Sequence, residues 1–316
     1  MKILITGAFG YVGGRLTQHL LQADDKQLVL ATRTARAAPP AAARATVAAI
    51  DWDCADSLSR ACVGVDAIVH LAGMNAQQCS AASPQMLAVA GRGVSRLLEA
   101  AAAARVRRFI YLSTAHVYDP LQGVITEESP AVATQPYAVR HRAGEQAVML
   151  AAHHDGMRGI VMRLSNAFGP PVREDADCWM LLVNALCRQA SERRELVLRS
   201  GAQRRDFIAL SDACRAIDHF LDLPDRLIGD GLFNVGGGWA PTVLQMAQRI
   251  ATLCGETLGH RPAIRSAAAQ PPAANVDLDY RIDKLLRTGF VLQADRDAEI
   301  SATLRFCAAM HQGRLH

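Results

Sequence analysis

Lysine is almost absent from this 316-residue sequence: Lys2, Lys26 and Lys284 are the only lysines among 34 basic side chains. The net charge at pH 7 is +4, and the arginines are spread along the chain without a dense basic run. Nucleic-acid binding usually requires basic residues that cluster on one face or along one helix. We therefore expect no nucleic-acid partner, and any function that needs a lysine at a given place has few candidates.

Paired cysteines and long apolar runs are also missing. None of the eight cysteines forms a C-x-x-C pair, and a chain of this size needs no disulfides, so we expect reduced thiols and no metal site. No apolar stretch approaches the roughly 20 residues that span a bilayer. The sequence enters a strand-like segment after one lysine, unlike a signal peptide. These absences predict a cytoplasmic protein with no membrane partner.

Short apolar segments alternate with helical segments through the first half of the chain. Strands that are apolar on both faces, with helices between them, are typical of a parallel sheet covered on both sides. We therefore predict an α/β fold with a doubly wound parallel sheet. The predicted strands are Lys2–Thr6, Gln27–Thr32, Thr46–Ile50, Ala67–Leu71, Phe109–Ser113 and Gly159–Leu164.

The regular alternation ends near residue 166. Beyond it, helical segments at Arg173–Ala190, Thr242–Cys254 and Ala298–Met310 are separated by segments rich in proline and glycine. We predict that residues 166–204 and 237–316 form a smaller, mainly helical C-terminal substrate domain. Residues 1–165 form the sheet domain, to which the chain returns at about 205–236.

Three regularly spaced glycines lie in and after the turn between the first strand and the helix that follows it. Residues 6–13, Thr-Gly-Ala-Phe-Gly-Tyr-Val-Gly, give the spacing G-x-x-G-x-x-G. Glycines at such a turn allow the backbone to approach a pyrophosphate, which then lies at the N-terminus of the helix. Because the turn directly follows a buried strand, it favours a dinucleotide site over an ordinary strand–helix connection.

Further motifs accompany the glycine-rich turn. They are Ile50-Asp51-Trp52, His70-Leu71-Ala72-Gly73, Ser113-Thr114-Ala115-His116-Val117-Tyr118, Arg163-Leu164-Ser165-Asn166-Ala167-Phe168-Gly169-Pro170, Arg205-Asp206-Phe207-Ile208 with Asp212, and Phe233-Asn234-Val235-Gly236. In content, order and spacing, the chain resembles the extended short-chain dehydrogenases, the NAD(P)-dependent nucleotide-sugar epimerase, dehydratase and reductase family. The resemblance covers nearly the whole chain. It implies a Rossmann fold and a homodimer formed by the helices at Ser83–Ala104 and Tyr137–His154.

The resemblance also implies which residues hold the nicotinamide cofactor. They are Gly7, Phe9, Gly10, Tyr11, Val12, Gly13, Arg33, Asp51, Trp52, Leu71, Ala72, Gly73, Tyr137 and His141. At the end of the second strand, an acid would bind the ribose 2′-hydroxyl of NAD, whereas an arginine accommodates the 2′-phosphate of NADP. Arg33 stands there with Arg36 close behind and without an acid. We therefore predict a preference for NADP.

A tyrosine, a serine or threonine and a lysine carry the acid–base chemistry of the resembled family. The tyrosine exchanges the proton, while the lysine of Y-x-x-x-K holds the nicotinamide ribose and lowers the pKa of the tyrosine. Tyr137 and Thr114 match, but His141 replaces the lysine, and an unperturbed histidine is mostly neutral near pH 7. Arg140 is the one permanent cation near that helix face. Either His141 is a working substitute, or the acid–base step has been lost or changed.

The resemblance also implies which residues contact the substrate. Asn166 and Arg205 stand where the family contacts the nucleotide, and Thr114 stands where it contacts the sugar. We predict an oxidoreductase acting on a nucleotide-linked sugar, either a 4-keto sugar reductase or an epimerase, with Tyr137 as general acid/base. In the dehydratase branch of the resembled family an Asp-Glu pair usually follows this threonine. Ala115 and His116 follow Thr114 here, so the resemblance disfavours a 4,6-dehydratase. The alternatives are a dinucleotide-binding protein with impaired or lost catalysis, and a reductase of a non-sugar carbonyl.

Overall fold

The computed structural model describes residues 1–34, 36–39, 42–154, 156–266 and 277–313, with only the backbone described at 84–91, 154 and 266. The strands are β1 (Lys2–Thr6), β2 (Gln27–Thr32), β3 (Thr46–Ala49), β4 (Ala67–His70), β5 (Arg108–Thr114), β6 (Gly123–Ile125), β7 (Arg158–Leu164), β8 (Asn166–Phe168), β9 (Glu195–Leu198), β10 (Phe207–Ala209), β11 (Leu232–Val235), β12 (Ala263–Ser266) and β13 (Leu278–Tyr280). The helices are α1 (Tyr11–Leu20), α2 (Ala55–Cys62), α3 (Ala76–Ala81), α4 (Pro84–Ala103), α5 (Pro136–His154), α6 (Leu182–Arg193), α7 (Leu210–Asp222), α8 (Val243–Leu258), α9 (Asp283–Leu286) and α10 (Arg296–Gly313).

A seven-stranded sheet in the order β11-β7-β5-β4-β1-β2-β3 forms the centre of the molecule. Every pairing in it is parallel, which confirms the predicted doubly wound sheet. Ile3, Leu4 and Ile5 on β1 are fully buried on both faces, as a parallel sheet covered by helices requires. The chain runs outward from β1 to β3 on one side and from β4 to β11 on the other. The strand order therefore reverses between β1 and β4, where ligands bind in such folds.

A second apolar cluster lies beside the sheet and is built mainly from α6, α8 and α10. Three pairs of short parallel strands accompany it: β8 with β10, β9 with β12, and β6 with β13. Because β11 pairs with β7, the chain returns to the sheet before α8. The domain boundaries given above stay a prediction.

The helix predicted at Arg173–Ala190 is wrong in its first half. Residues 173–181 form turns, and α6 begins only at Leu182. The guanidinium of Arg173 binds the carboxylate of Asp175 with two hydrogen bonds of 2.8 and 2.6 Å. The amide of Cys178 donates to the carbonyl of Ala176, a spacing that a helix does not use. Local polar contacts thus replace the first helical turns.

The cysteines are free thiols, and all eight lie within the described residues. In the same ranges no helix is both long and apolar enough to cross a membrane. Nor do these ranges contain a group of three or more His, Cys, Asp or Glu side chains that could hold a metal ion.

Candidate active site

The glycine-rich turn between β1 and α1 is too tightly packed for side chains. Gly7 has a φ of +71°, and a Cβ there would lie 2.9 Å from the backbone nitrogen of Ala72. A Cβ on Gly13 would lie 2.1 Å from the carbonyl oxygen of Gly7, to which Gly10 donates its amide at 2.9 Å. Val12 packs half-buried against the core below. The turn offers bare backbone at the N-terminus of α1, so these residues fit the pyrophosphate of a dinucleotide.

The side chains around this turn divide between the surface and the core. Arg33 is exposed just beyond β2, and the Arg36 guanidinium lies over the Phe9 ring, 4.8 Å from its centroid. Tyr11 points elsewhere: its hydroxyl donates to the carbonyl of Gly169 at 3.0 Å. Two arginines therefore border the turn on the β2 side, while Tyr11 joins α1 to the segment after β8.

The carboxyl ends of β3 and β4 form the neighbouring edge of the site. Asp51 is exposed directly after β3, and its carboxylate accepts the amide of Asp53 at 2.9 Å. The Trp52 indole packs edge-on against the His70 ring, with centroids 5.7 Å apart. Leu71 continues β4 by donating its amide to β1. The predicted cofactor residues of these strands thus lie at the sheet edge that also carries the glycine-rich turn.

The predicted acid–base residues come together where β5 ends and α5 begins. Thr114 is the last residue of β5, Tyr137 lies in the first turn of α5, and His141 follows one turn later, its ring 4.5 Å from that of Tyr137. Burial raises the pKa of Tyr137, whereas a hydrogen bond with Thr114 and the charge of Arg140 lower it. The expected pairing of phenol and hydroxyl is therefore present.

His141 is buried and neutral. Its Nδ1 lies 3.2 Å from the hydroxyl of Tyr111, and its side chain is 9% exposed. Burial, reinforced by the charge of Arg140, lowers the pKa of His141 to about 3. His141 therefore adds no positive charge beside Tyr137 over the usual working range of pH.

A cavity of about 580 Å³ opens in front of Tyr137. Asn166 and Arg205 line it together with Tyr137, so the structure brings the predicted catalytic tyrosine and the predicted substrate contacts to one cleft. Asn166 is held by a 2.8 Å hydrogen bond from its side-chain amide to the carbonyl of Asp206. The Arg205 guanidinium donates to Gln203 at 2.9 and 3.2 Å.

Comparison with known proteins agrees with this geometry. A family model described as the NAD dependent epimerase/dehydratase family matches residues 3–236. The chain belongs to this family of enzymes.

Among its relatives, an uncharacterized UDP-glucose epimerase of Bacillus subtilis (strain 168) is 28% identical over 270 residues, covering 81% of this chain and 83% of the relative. A dTDP-glucose 4,6-dehydratase of Streptomyces niveus is 28% identical over 271 residues, covering 81% and 78%. The UDP-glucuronic acid 4-epimerase of Bacillus cereus, solved with UDP-glucuronic acid and NAD, shares the fold with a TM-score of 0.81 at 22% identity, covering 98% of this chain and 100% of that one.

Several motif residues of this epimerase/dehydratase family member meet in a buried network beneath the cleft. The Arg163 guanidinium donates to the Glu145 carboxylate at 2.9 and 2.7 Å and to the Tyr118 hydroxyl at 2.7 Å. Tyr118 in turn donates to the Asn234 side chain, and Tyr280 donates to the Arg163 carbonyl. Glu145 was not predicted from the sequence, although a charged Arg163 within the apolar strand β7 requires a buried partner.

His116 lies in the Ser113–Tyr118 motif, but no role in the site was predicted for it. In the structure it lines the cleft with its ring edge-on to Tyr137, at 6.4 Å between centroids. Its place two residues after Thr114 was the available signal.

Proposed function

We propose that this protein is an NAD(P)-dependent oxidoreductase acting on a nucleotide-linked sugar, as a 4-keto sugar reductase or an epimerase. The observation that carries the proposal is the single cleft lined by Tyr137, Asn166 and Arg205, adjoining the sheet edge that bears the glycine-rich turn. The relatives are named for UDP- and dTDP-linked sugars.

Tyr137 is the proton carrier in this proposal. Its phenolic oxygen gives or takes a proton at the reacting sugar oxygen. Thr114, which is 5% exposed, hydrogen-bonds the same oxygen through its hydroxyl. A bound nicotinamide supplies or accepts the hydride at the adjacent carbon.

Asn166 and Arg205 hold the nucleotide part of the substrate. A guanidinium binds phosphate oxygens with parallel hydrogen bonds, and Arg205 is placed to exchange its contact with Gln203 for such an anion. Because His116 also borders Tyr137, it contacts the sugar rather than the nucleotide.

Titration calorimetry with UDP, GDP, CDP and dTDP tests this assignment. At least one nucleoside diphosphate should bind the wild type, and Arg205→Ala should weaken that binding by roughly tenfold or more, the value of a charge-assisted hydrogen bond. Arg60→Ala, an exposed arginine on α2, is the matched control and should bind like the wild type. If none of the four binds, the sugar-nucleotide assignment is wrong.

The cofactor of this proposal is NADP. Arg33 and Arg36 border the β2 side of the turn, where an arginine accommodates a 2′-phosphate. Fluorescence titration should show tighter binding of NADPH than of NADH, and Arg33→Ala should reduce that preference. Equal affinities in both proteins would remove Arg33 from the assignment.

A second candidate is a dinucleotide-binding protein without hydride transfer. The observation that favours it is the neutral, buried His141 at the position of the family lysine. Such a protein would bind the cofactor but would not oxidise it with any nucleotide-linked keto sugar. Single-turnover absorbance of bound NADPH distinguishes the two candidates.

A homodimer is the proposed assembly. The exposed side of α5 carries Val139, Ala143, Gln146 and Leu150 at helical spacing, and two of these are large apolar side chains that are 48% and 60% exposed. Burying such a stripe against a second copy would remove it from water. Light scattering that gives a monomer mass at micromolar concentration would contradict this.

A further inference from the structure

Arg140 lies one residue before His141 and projects toward the sheet edge instead of toward solvent. Its guanidinium fills a notch above Gly73, the residue that ends the His70-Leu71-Ala72-Gly73 motif. A Cβ on Gly73 would lie 2.8 Å from Nη1 and 3.3 Å from Nη2 of Arg140. The absence of a side chain at Gly73 therefore makes room for the guanidinium.

Gly73 has no other evident reason to be glycine. It is absent from the glycines with positive φ, so its backbone is open to any residue. The resembled family has lysine at position 141, where this chain has histidine. The guanidinium that occupies the space above Gly73 belongs to the residue directly before that position.

Two nitrogens of the half-buried Arg140 side chain have no hydrogen-bond partner. Nε and Nη1 are inaccessible to solvent and have no partner among the described residues. Leaving a buried charged donor unpaired is costly. A ligand at this edge, toward which the guanidinium turns, would supply the missing acceptor.

The charge of Arg140 acts on the groups around the reacting centre. It lowers the pKa of His70 and of His141 in the same direction as burial, which is the larger cause. At Tyr137 burial is the largest cause and raises the pKa, while the hydrogen bond with Thr114 and the charge of Arg140 oppose that rise. The other titratable groups that face Tyr137 are His141 on α5, Cys79 on α3, His116 after β5 and Tyr111 on β5. None of these carries a fixed charge, so Arg140 is the permanent cation that lowers the pKa of this phenol.

We propose that Arg140 takes over the role of the missing lysine: its guanidinium donates to hydroxyl oxygens of the bound dinucleotide beside Gly73, and its charge faces Tyr137. This deepens the proposed function and rests on it for the identity of the ligand. His141 then orients its neighbours through Tyr111 and bears no charge. Counted from Tyr137, the cation thus lies three residues along α5 instead of four, and Gly73 leaves room for the arginine side chain at that position.

Dinucleotide binding gives the first test. Arg140→Gln should weaken binding of NADPH, measured by fluorescence titration in the absence of substrate, by roughly tenfold or more. Arg60→Gln removes the same charge from an exposed site on α2 and should bind like the wild type. Equal affinity of the Arg140→Gln and wild-type proteins would overturn the proposal.

Two further variants separate position from charge and guard against misfolding. Gly73→Ala keeps the arginine but pushes its guanidinium out of the notch, so it should weaken NADPH binding, and its effect should not add to that of Arg140→Gln. Arg140→Lys keeps the charge and should retain more affinity than Arg140→Gln. If Gly73→Ala binds normally, the notch has no role in holding the guanidinium and the proposal fails.

The pKa of Tyr137 in the ligand-free protein tests the second half of the proposal independently of any substrate. NMR titration of ring-labelled tyrosine, with the Tyr137 signal assigned by Tyr137→Phe, should show a higher pKa in Arg140→Gln than in wild type or Arg60→Gln. An unchanged pKa would overturn the claim that Arg140 tunes Tyr137. If the pKa rises but the wild type binds no dinucleotide, the tuning stands, whereas the ligand contact and the proposed function both fail.

Discussion

Two arginines at α5, Arg163 and Arg140, differ in whether the protein supplies hydrogen-bond partners for their guanidinium groups. Arg163, on β7, is 2% exposed and binds both carboxylate oxygens of Glu145 and the hydroxyl of Tyr118. Arg140, on α5 itself, has two buried nitrogens with no partner in the described chain. The first guanidinium is satisfied by the protein, and the second is not.

The difference separates a structural charge from a functional one. A buried ion pair adds little to stability by itself, but removing one partner leaves an uncompensated charge that costs about 3–5 kcal/mol. Around Arg163, the protein supplies every partner and fixes the relation of α5, β5 and β7. Around Arg140, the protein supplies space at Gly73 and neutral neighbours, and the partner must come from a ligand.

Removing the carboxylate should therefore give the largest effect on stability. Glu145→Gln leaves Arg163 charged and partly unpaired, so the free energy of unfolding should fall by about 3–5 kcal/mol, measured by urea denaturation. Arg142→Ala removes a 37%-exposed partner of the same carboxylate and should cost about 1 kcal/mol or less. Equal losses in both variants would contradict the distinction between the buried and exposed partners.

The neutral His141 beside Arg140 should make the free energy of unfolding depend on pH. Burial holds the pKa of His141 at about 3, against 6.5 for an ordinary histidine. Below pH 6.5 His141 is protonated in the unfolded chain but stays neutral in the folded chain. The free energy of unfolding therefore falls as the pH drops from 6.5 toward 3, whereas His141 has no effect on it above pH 6.5. The loss is about 1.4 kcal/mol per pH unit, or about 2 kcal/mol at pH 5.

His141→Gln keeps a polar group near Tyr111 and has no proton to gain. Its unfolding free energy should therefore fall less steeply between pH 6.5 and 5 than that of the wild type. The difference in slope should correspond to the uptake of about one proton fewer on unfolding. His70, whose pKa burial also lowers to about 3, leaves a residual slope in the variant. Identical slopes in both proteins would mean that His141 is not held neutral.

Replacing Arg140 should have the smallest effect on the free energy of unfolding, which distinguishes it from Arg163. Arg140→Gln removes a buried charge that the folded protein does not satisfy, so its unfolding free energy should stay equal to that of the wild type or rise by about 1 kcal/mol, even as NADPH binding weakens. Thermal unfolding with and without NADPH measures both. A loss comparable to that of Glu145→Gln would show that Arg140 is a structural charge.

Six of the seven strands of the sheet could be predicted from the sequence because each is a local apolar segment; β11 was not among the predicted strands. β1 and β2 agree residue for residue with the expected segments, and the glycine-rich turn lies where its spacing indicated. The start of α6 was predicted too early, because the apolar spacing of residues 173–190 does not reveal the local contact in which Arg173 binds Asp175.

The sequence predicted which residues meet in the candidate site better than it predicted the electrostatics there. Motif order placed Tyr137, Asn166 and Arg205, which do line one cleft. The neutrality of His141 and the notch at Gly73 arise from packing between α5 and the end of β4, two segments far apart in sequence. Only the missing lysine hinted that another cation was required.

The most direct test of the account is single-turnover oxidation of bound NADPH by a 4-keto sugar linked to whichever nucleotide binds the wild type. Tyr137→Phe should slow this step by about 10²- to 10⁴-fold, the usual contribution of a general acid. Tyr280→Phe removes another buried tyrosine hydroxyl, one bonded to the Arg163 carbonyl, and should leave the rate near that of the wild type. A near-wild-type rate for Tyr137→Phe would contradict the proposed chemistry.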